Sequence, residues 1–245
     1  MYLNLHQYYA RLATKPYQEL GWNGCSANDP MEILKLRTLI LKKMCHYGTA
    51  SKEAGARLLQ WKESGQPICP DLRDVVYTYG MKAVGDEDLW NWMLDRYVNE
   101  SNAQEKAKLL RGLASVSEPW LISYLLDLAK DEKIIRSQDY FTLLTYISWN
   151  RVGEPLLWDY VRCQWPQLVE RFSLNNRLMG RMVADITKKF ATQQRLDEMK
   201  AFFTKYPDAG AGENYRKIAL ETVQNNIKFV QDNSDVIDQW LTQRK

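Results

Sequence analysis

Histidine is the residue type in this chain best suited to bind a metal or transfer a proton, and there are only two copies. His6 and His46 stand forty residues apart. A hydrolytic zinc site of the two-histidine, one-carboxylate type places its histidines one helical turn apart, so that both reach one ion. That spacing is absent, as are the phosphate-loop, dinucleotide, calcium-loop and nucleophile-elbow motifs. We therefore predict no catalytic residue and no metal ligand in this chain, and we interpret both histidines as packing or surface residues.

The four cysteines are Cys25, Cys45, Cys69 and Cys163. None are in C-x-x-C spacing, which argues against zinc-ribbon and thioredoxin-like sites. Cys45 and Cys163 lie within predicted helices and are interpreted as buried thiols. Cys25 and Cys69 lie in turns that an up-down helical stack would place at the same edge. A Cys25–Cys69 disulfide is therefore geometrically allowed in an oxidising compartment, and two free thiols are the alternative.

The most distinctive polar stretch runs from Arg171 to Arg181. If Ser173 caps a helix here, Arg177 and Arg181 share one face of it, because they are four residues apart. Two guanidinium groups aligned in this way can bind a carboxylate through paired hydrogen bonds. The alternative is a solvated basic face, or pairing with acids of a neighbouring helix. Arg177 and Arg181 are the candidate ligand-binding residues.

The elements that must position these residues are predicted to be helices. Hydrophobic residues make up 45% of the 245 residues and charged residues 26%, which is typical of a globular protein. Apolar residues recur at three- and four-residue steps almost throughout, whereas strict alternation is rare. No apolar run is long enough to span a membrane, and a net charge of +3 does not argue for a nucleic-acid partner.

Glycines, prolines and capping residues predict where the helices begin and end. Asp29 and Pro30 suit the start of one helix, and Gly48 suits its end. The predicted helices span 30–47, 51–64, 70–84, 86–98, 103–116, 119–130, 138–150, 154–165, 174–190, 193–206 and 213–241, the last with a kink near 232–234.

Helical segments also recur at a regular interval. Segments that open at positions 71, 103, 138 and 173 are separated by 32, 35 and 35 residues. A helix pair of this length is typical of α-solenoids, in which each pair buries its apolar face on the next. We predict an all-α, HEAT-like stack curved into a shallow bowl, as a single domain over residues 1–245.

Nine short motifs occur in order along nearly the whole chain: Leu20–Trp22, Pro70–Tyr77, Gln104–Ala114, Arg136–Asp139, Asn150–Gly153, Trp158–Tyr160, Leu174–Arg177, Phe203–Gly212 and Thr222–Ile227. As an ordered set, they resemble the C-terminal helical domain of zinc aminopeptidases of the aminopeptidase N and glutamyl aminopeptidase type. Leu174–Arg177 and Phe203–Gly212 look most like the glutamyl aminopeptidase branch.

The resemblance implies that the chain is one part of a larger enzyme. In such enzymes the zinc-binding H-E-x-x-H and the substrate-binding G-x-M-E-N segments lie in an upstream catalytic domain, and neither segment is present here. The C-terminal domain is a bowl of HEAT/armadillo-like helices that encloses the peptide cavity and, in several members, takes part in a homodimer. Arg177 matches a position that faces this cavity and helps to place the substrate.

The resemblance also implies a compartment. Members of this branch are mostly membrane-anchored ectoenzymes or proteins of the endoplasmic reticulum lumen, and a cytosolic relative is the alternative. The sequon at Asn99 then predicts glycosylation, and the Cys25–Cys69 bridge is favoured. Some members carry a cysteine pair near Tyr79 and Ser115, where this chain has none, so the family's disulfides cannot be transferred as a set.

The leading hypothesis is a non-catalytic, cavity-forming domain of a zinc aminopeptidase that removes N-terminal residues from peptides. Its partners would be the upstream catalytic domain of the same polypeptide, peptide substrates and a second copy of the enzyme. The rival hypothesis is a free-standing α-solenoid adaptor whose concave face binds another protein.

Overall fold

The computed structural model describes residues 2–23 and 29–244 of the chain, and every regular element in those ranges is helical. The all-α prediction is confirmed. The helices are α1 Tyr2–Leu20, α2 Met31–Tyr47, α3 Ser51–Ser64, α4 Arg73–Val75, α5 Met81–Val84, α6 Glu87–Asn99, α7 Ala103–Leu113, α8 Pro119–Leu128, α9 Ser137–Trp149, α10 Gly153–Phe172, α11 Arg177–Thr187, α12 Gln193–Lys205 and α13 Glu213–Thr242. A π-helical turn, Val76–Gly80, joins α4 to α5, and a 3-10 turn, Gly210–Gly212, precedes α13.

The start of α2 differs from the prediction. Pro30 rather than Asp29 precedes the first helical residue, and no side chain caps the helix. Asp29 instead forms an ion pair with the buried Arg37, with Oδ2 and Nη1 2.8 Å apart. The Arg37 Nε–H also donates to the carbonyl of Leu20, which ties α2 to the end of α1. The predicted end of α2 at Gly48 is confirmed.

The predicted helix over 70–84 is shorter than expected and contains the π-helical turn. Its residues Val76, Tyr77 and Gly80 are buried. Gly80 lies so close to α3 that a Cβ atom there would come within 2.8 Å of the Ala54 carbonyl oxygen. A π-helical turn contains one more residue than an α-helical turn, so it shifts the register of the helix. Here the π-turn coincides with the close approach of Gly80 to α3.

Helix α10 is longer than predicted, because it passes through Pro166 and ends at Phe172. A proline inside a helix removes one backbone hydrogen bond, so the sequence predicts an end at Trp165. Beyond the proline, Leu168 and Phe172 continue the buried face that Trp158 and Trp165 begin. Their spacing of three, four and seven residues keeps them on one side, and their burial offsets the lost hydrogen bond.

The chain forms two compact units, Met1–Leu125 with Asp238–Lys245, and Leu126–Ile237. In the first unit α1 packs on α2, α6 on α7, and α3 on the π-turn; in the second α9 packs on α10 and α11. Trp61 and Trp90 are buried in the first unit and Trp158 and Trp165 in the second. The single domain over 1–245 and its bowl-like curvature stay predictions. Over the described ranges, no helix has the length and apolar character to cross a membrane.

Candidate functional site

The turn between α10 and α11 lies in the second unit and carries the candidate arginines. The prediction that Ser173 caps α11 is wrong. Ser173 ends α10 instead: its φ is 65°, and its backbone N–H donates to the Val169 carbonyl at 2.8 Å. The cap is Asn176, whose Oδ1 accepts from the backbone N–H groups of Leu178 and Met179 at 2.8 and 3.4 Å. The asparagine directly precedes the helix, so its short side chain reaches these donors.

Arg177 is the first residue of α11 and is exposed. It makes no hydrogen bond or ion pair with any residue that the structure describes. A helix N-terminus carries partial positive charge and normally favours acidic side chains. The first turn of α11 has no acidic residue and adds a guanidinium group to that partial charge. The arrangement does not stabilise the helix, but it favours binding of an anion.

Arg181 lies one turn further along α11, on the same face as Arg177, as the spacing predicts. Its Nε is 3.0 Å from Oδ2 of Asp185 on the same helix. The acid belongs to the same helix and not to a neighbouring one. The structure therefore places the two candidates on one face but leaves only Arg177 without an acidic neighbour among the described residues.

Two of the motifs named above meet at this turn. The backbone N–H of Ala211, in the Phe203–Gly212 motif, donates to the carbonyl of Leu174, in the Leu174–Arg177 motif, at 2.9 Å. The 3-10 turn packs directly on Gly180 of α11: a Cβ atom at Gly180 would lie 2.7 Å from the Gly212 nitrogen. The glycine-rich motif therefore supports the helix that begins with Arg177.

Arg216, which sequence reasoning missed, holds the other end of the same loop. Its buried guanidinium donates to the carbonyls of Tyr206 and Asp208 at 2.5 and 3.1 Å and lies 4.9 Å from the centre of the Phe203 ring. Burial lowers the pKa of Arg216, and the nearby charge of Asp208 acts in the opposite direction. The position of Arg216 in the sequence could have indicated this role, since an arginine in the first turn of a helix can reach the carbonyls of the preceding turn.

An apolar pocket of about 390 Å³ opens beside the turn. Leu174 belongs both to this pocket and to the turn that leads to Arg177. Mostly apolar walls with a few polar groups are typical of ligand sites. The lining includes Trp165, Pro166, Val169, Leu174, Tyr206 and Pro207.

The histidines lie in the first unit, away from these residues in sequence. The ring centre of His6 is 5.6 Å from that of His46 and 4.9 Å from that of Tyr47, so His6 packs against α2. Packing of α1 on α2 brings them together. Within residues 2–23 and 29–244, no group of three or more histidine, cysteine or acidic residues could hold a metal ion.

The cysteines differ in state and in exposure. Cys45 is a free, buried thiol, and burial raises its pKa to about 12. Cys163 is free but exposed, so the interpretation as a buried thiol is wrong for it: it lies on the solvent side of α10. Cys69 is disulfide-bonded. Cys25, its partner in the predicted bridge, lies outside the described residues, and that pairing stays a prediction.

Asn99 is the last residue of α6. Its side-chain amide donates to the carbonyl and to the carboxylate of Asp95, both at 2.9 Å. The sequon therefore lies at a helix end followed by the extended residue Glu100. Glycosylation of Asn99 stays a prediction.

A second charged cluster, in the first unit, surrounds Glu105. Its carboxylate accepts a hydrogen bond from the Tyr77 hydroxyl at 2.6 Å and pairs with Arg73 and Lys108 at 3.2 and 3.4 Å. Burial alone would raise the pKa of Glu105, but the hydrogen bonds from Tyr77 and Arg73 outweigh it, so the pKa lies below its usual value. The charged groups of this cluster therefore pair with one another inside the protein.

Comparison with known proteins covers nearly the whole chain. The model of the ERAP1-like C-terminal domain matches residues 1–225. The chain is 40% identical to human glutamyl aminopeptidase over 243 residues, which are 98% of the chain and 25% of that protein. It is 42% identical to bovine glutamyl aminopeptidase over 236 residues, 95% of the chain and 24% of that protein. Aminopeptidase A of Gloydius brevicauda is 41% identical over 244 residues, again 98% and 25%. The chain thus spans about a quarter of the length of these relatives.

Proposed function

The chain belongs to the family of ERAP1-like C-terminal domains, and we propose that it is the substrate-enclosing domain of an aminopeptidase that removes N-terminal residues from peptides. The observation that supports this most strongly is the extent of the match, 40–42% identity over 95–98% of the chain but only about a quarter of each relative. The relatives' remaining length would correspond to an upstream part of the same polypeptide. The adaptor hypothesis is not favoured, because it offers no reason for this match.

The proposed enzyme is a zinc enzyme whose metal is held outside this chain. The described residues do not fit a zinc ion, because they contain no cluster of three or more suitable ligands. The chain's own contribution is to bind and orient the peptide. Activation of water and cleavage of the peptide bond are assigned to the upstream domain.

Arg177 is the residue proposed to bind the peptide. A guanidinium group presents parallel N–H donors that match the two oxygens of a carboxylate, and such charge-assisted bonds are stronger than neutral ones. Arg177 can bind without first releasing another acid that the structure describes, whereas Arg181 would have to leave Asp185. The ligand would be an acidic side chain or the carboxyl terminus of the peptide. The names of the relatives, glutamyl aminopeptidase, agree with an acidic substrate.

The proposal places the enzyme on the outer face of the plasma membrane or in the lumen of the secretory pathway. It includes glycosylation at Asn99, the Cys25–Cys69 bridge and assembly into a homodimer. The disulfide-bonded state of Cys69 supports an oxidising compartment.

An immunoblot of the source tissue, with an antibody raised against this chain and with or without glycosidase, tests the parent enzyme. We expect a band several times heavier than the 28.7 kDa of this chain that shifts on deglycosylation. A single band near 28.7 kDa that does not shift would contradict the proposal and restore the adaptor hypothesis.

A further inference from the structure

The position of Arg177 depends on a loop that lies more than thirty residues later in the chain. The start of α11 is held at two points. At the first, the carbonyl of Leu174, three residues before Arg177, accepts from the backbone N–H of Ala211 at 2.9 Å. A backbone hydrogen bond of this length fixes the backbone segment that leads into α11.

The second point is the contact of two glycines. A Cβ atom built at Gly180 would lie 2.7 Å from the nitrogen of Gly212 and 2.8 Å from the carbonyl carbon of Ala211. Both are backbone atoms, which cannot rotate away as a side chain can. Helix and turn therefore approach more closely than any side chain at Gly180 allows. Because Gly180 lies one turn after Arg177, this contact fixes the first turn of α11.

The turn itself is held from behind by Arg216. Its guanidinium donates to the carbonyls of Tyr206 and Asp208, and it is buried against Phe203. Gly210, the first residue of the 3-10 turn, has a φ of +48°, and a Cβ atom there would come within 2.5 Å of the Leu174 carbonyl oxygen. The glycines therefore allow the loop to adopt this backbone conformation, and the hydrogen bonds of Arg216 hold it there.

We propose that Arg216 and the Gly210–Gly212 turn form a positioning clamp that sets where Arg177 presents its guanidinium to a carboxylate ligand. The inference rests on the proposed role of Arg177. Binding of a carboxylate by two parallel bonds requires placement of the donor to within about 0.5 Å. Arg177 has an exposed, flexible side chain, so the rigidity must come from the backbone that carries it. Arg216 and the glycines are positioning residues and do not touch the ligand.

The test uses Gly212→Ala in the full-length protein that carries this chain. A Cβ atom at Gly212 would lie 3.1 Å from the Cα of Gly180, so α11 and the turn must separate by a few tenths of an ångström. We expect KM for an acidic peptide substrate to rise about fivefold, a fraction of the effect of a lost charge-assisted bond, with kcat little changed. Arg216→Lys, which keeps the charge but not the forked donors, should shift KM in the same direction.

Gly112→Ala is the control, because its Cβ atom would also be crowded, at 2.8 Å from the Met93 sulfur, but in the first unit. It should lower the thermal midpoint and leave KM unchanged. An equal rise in KM for Gly112→Ala would overturn the clamp, since general destabilisation would then explain the result.

Repeating Gly212→Ala in an Arg177→Ala background tests the clamp separately from the role of Arg177 in ligand binding. A clamp that acts through Arg177 has no further effect on KM once Arg177 is absent. The same fold-change in both backgrounds overturns the clamp but leaves the role of Arg177 intact. An unchanged KM for Arg177→Ala alone overturns the proposed role of Arg177, and the clamp with it.

Discussion

Glu105 in the first unit and Arg177 in the second are both charged residues beside the start of a helix, yet their surroundings are opposite. Glu105 accepts from the Tyr77 hydroxyl and pairs with Arg73 and Lys108. Arg177 has no such partner within the described ranges, and its helix offers no acid in the first turn. The carboxylate is largely buried, whereas the guanidinium is exposed.

The difference separates charges that maintain the fold from charges that are available to a ligand. A buried carboxylate without partners would be strongly destabilising, so its neighbours are supplied by the protein itself. An exposed arginine needs no partner for stability, and its donors stay accessible to an anion in solution. The surrounding backbone supports this reading, because the turn before Arg177 is fixed by main-chain contacts rather than by ion pairs.

Glu105→Ala should give the largest loss of stability. It removes the acceptor of the Tyr77 hydroxyl and leaves Arg73 and Lys108 without their acid, so we expect the free energy of unfolding to fall by about 2–3 kcal/mol. Chemical denaturation monitored by tryptophan fluorescence measures it. The control is Glu213→Ala, which removes an exposed carboxylate 2.9 Å from Lys217 and should change nothing measurable. Equal losses of stability for both variants would show that the buried carboxylate of Glu105 contributes no more to the fold than an exposed one.

Acid should weaken the same cluster. The pKa of Glu105 is lower in the folded chain than in the unfolded chain, so its charge stabilises the fold above its unfolded pKa of about 4.3. That stabilisation is lost as the pH falls through the lower, folded pKa. The stability difference between wild type and Glu105→Gln should therefore be constant from pH 7 to about pH 5 and narrow below about pH 4.3. A difference that widens on acidification would contradict the assigned direction.

Asn176→Ala should have an intermediate effect. It removes the acceptor of two backbone N–H groups at the start of α11, and lost caps typically lower the free energy of unfolding by about 1 kcal/mol. Asn176→Asp keeps the cap and should retain most of the stability. Ser173→Ala should lose less than Asn176→Ala, because Ser173 does not cap α11. The opposite ranking in thermal melts would mean that the cap is misassigned.

Arg181→Ala should have the smallest effect. Its pair with Asp185 is on the surface, so the free energy of unfolding should change by less than about 0.5 kcal/mol. Substrate kinetics should also change little, since Arg181 is engaged on its own helix. A loss of substrate binding as large as that of Arg177→Ala would show that the two arginines act together, as their spacing alone suggests.

Local signals in the sequence predict most of the helices. Glycine after an apolar run marks the ends at Gly48 and Gly65, and Asp86 begins α6 as a cap, accepting from the Leu89 N–H. Such signals act within one turn of the chain, so they can be recognised without tertiary information. The extension of α10 past Pro166 could not be recognised in this way, because it depends on burial against other helices.

The sequence identifies the candidate arginines, but it does not predict the cap and the backbone contacts that hold the start of α11. Ser173 and Asn176 are both good caps, and only the path of the backbone decides between them. The contact of Gly180 with Gly212 and the proximity of His6 to His46 join residues about thirty to forty positions apart. Spacing rules describe neighbours along one helix, and these contacts arise from packing between elements.

The central proposal is that Arg177 binds an acidic group of the substrate, and its most direct test is the kinetics of Arg177→Ala in the full-length protein that carries this chain. We expect kcat/KM for an acidic substrate to fall roughly tenfold or more, with little change for a neutral substrate and in thermal stability. Arg177→Lys should recover part of the loss, since it keeps the charge but not the paired donors. Equal kinetics of wild type and Arg177→Ala on both substrates would contradict the account.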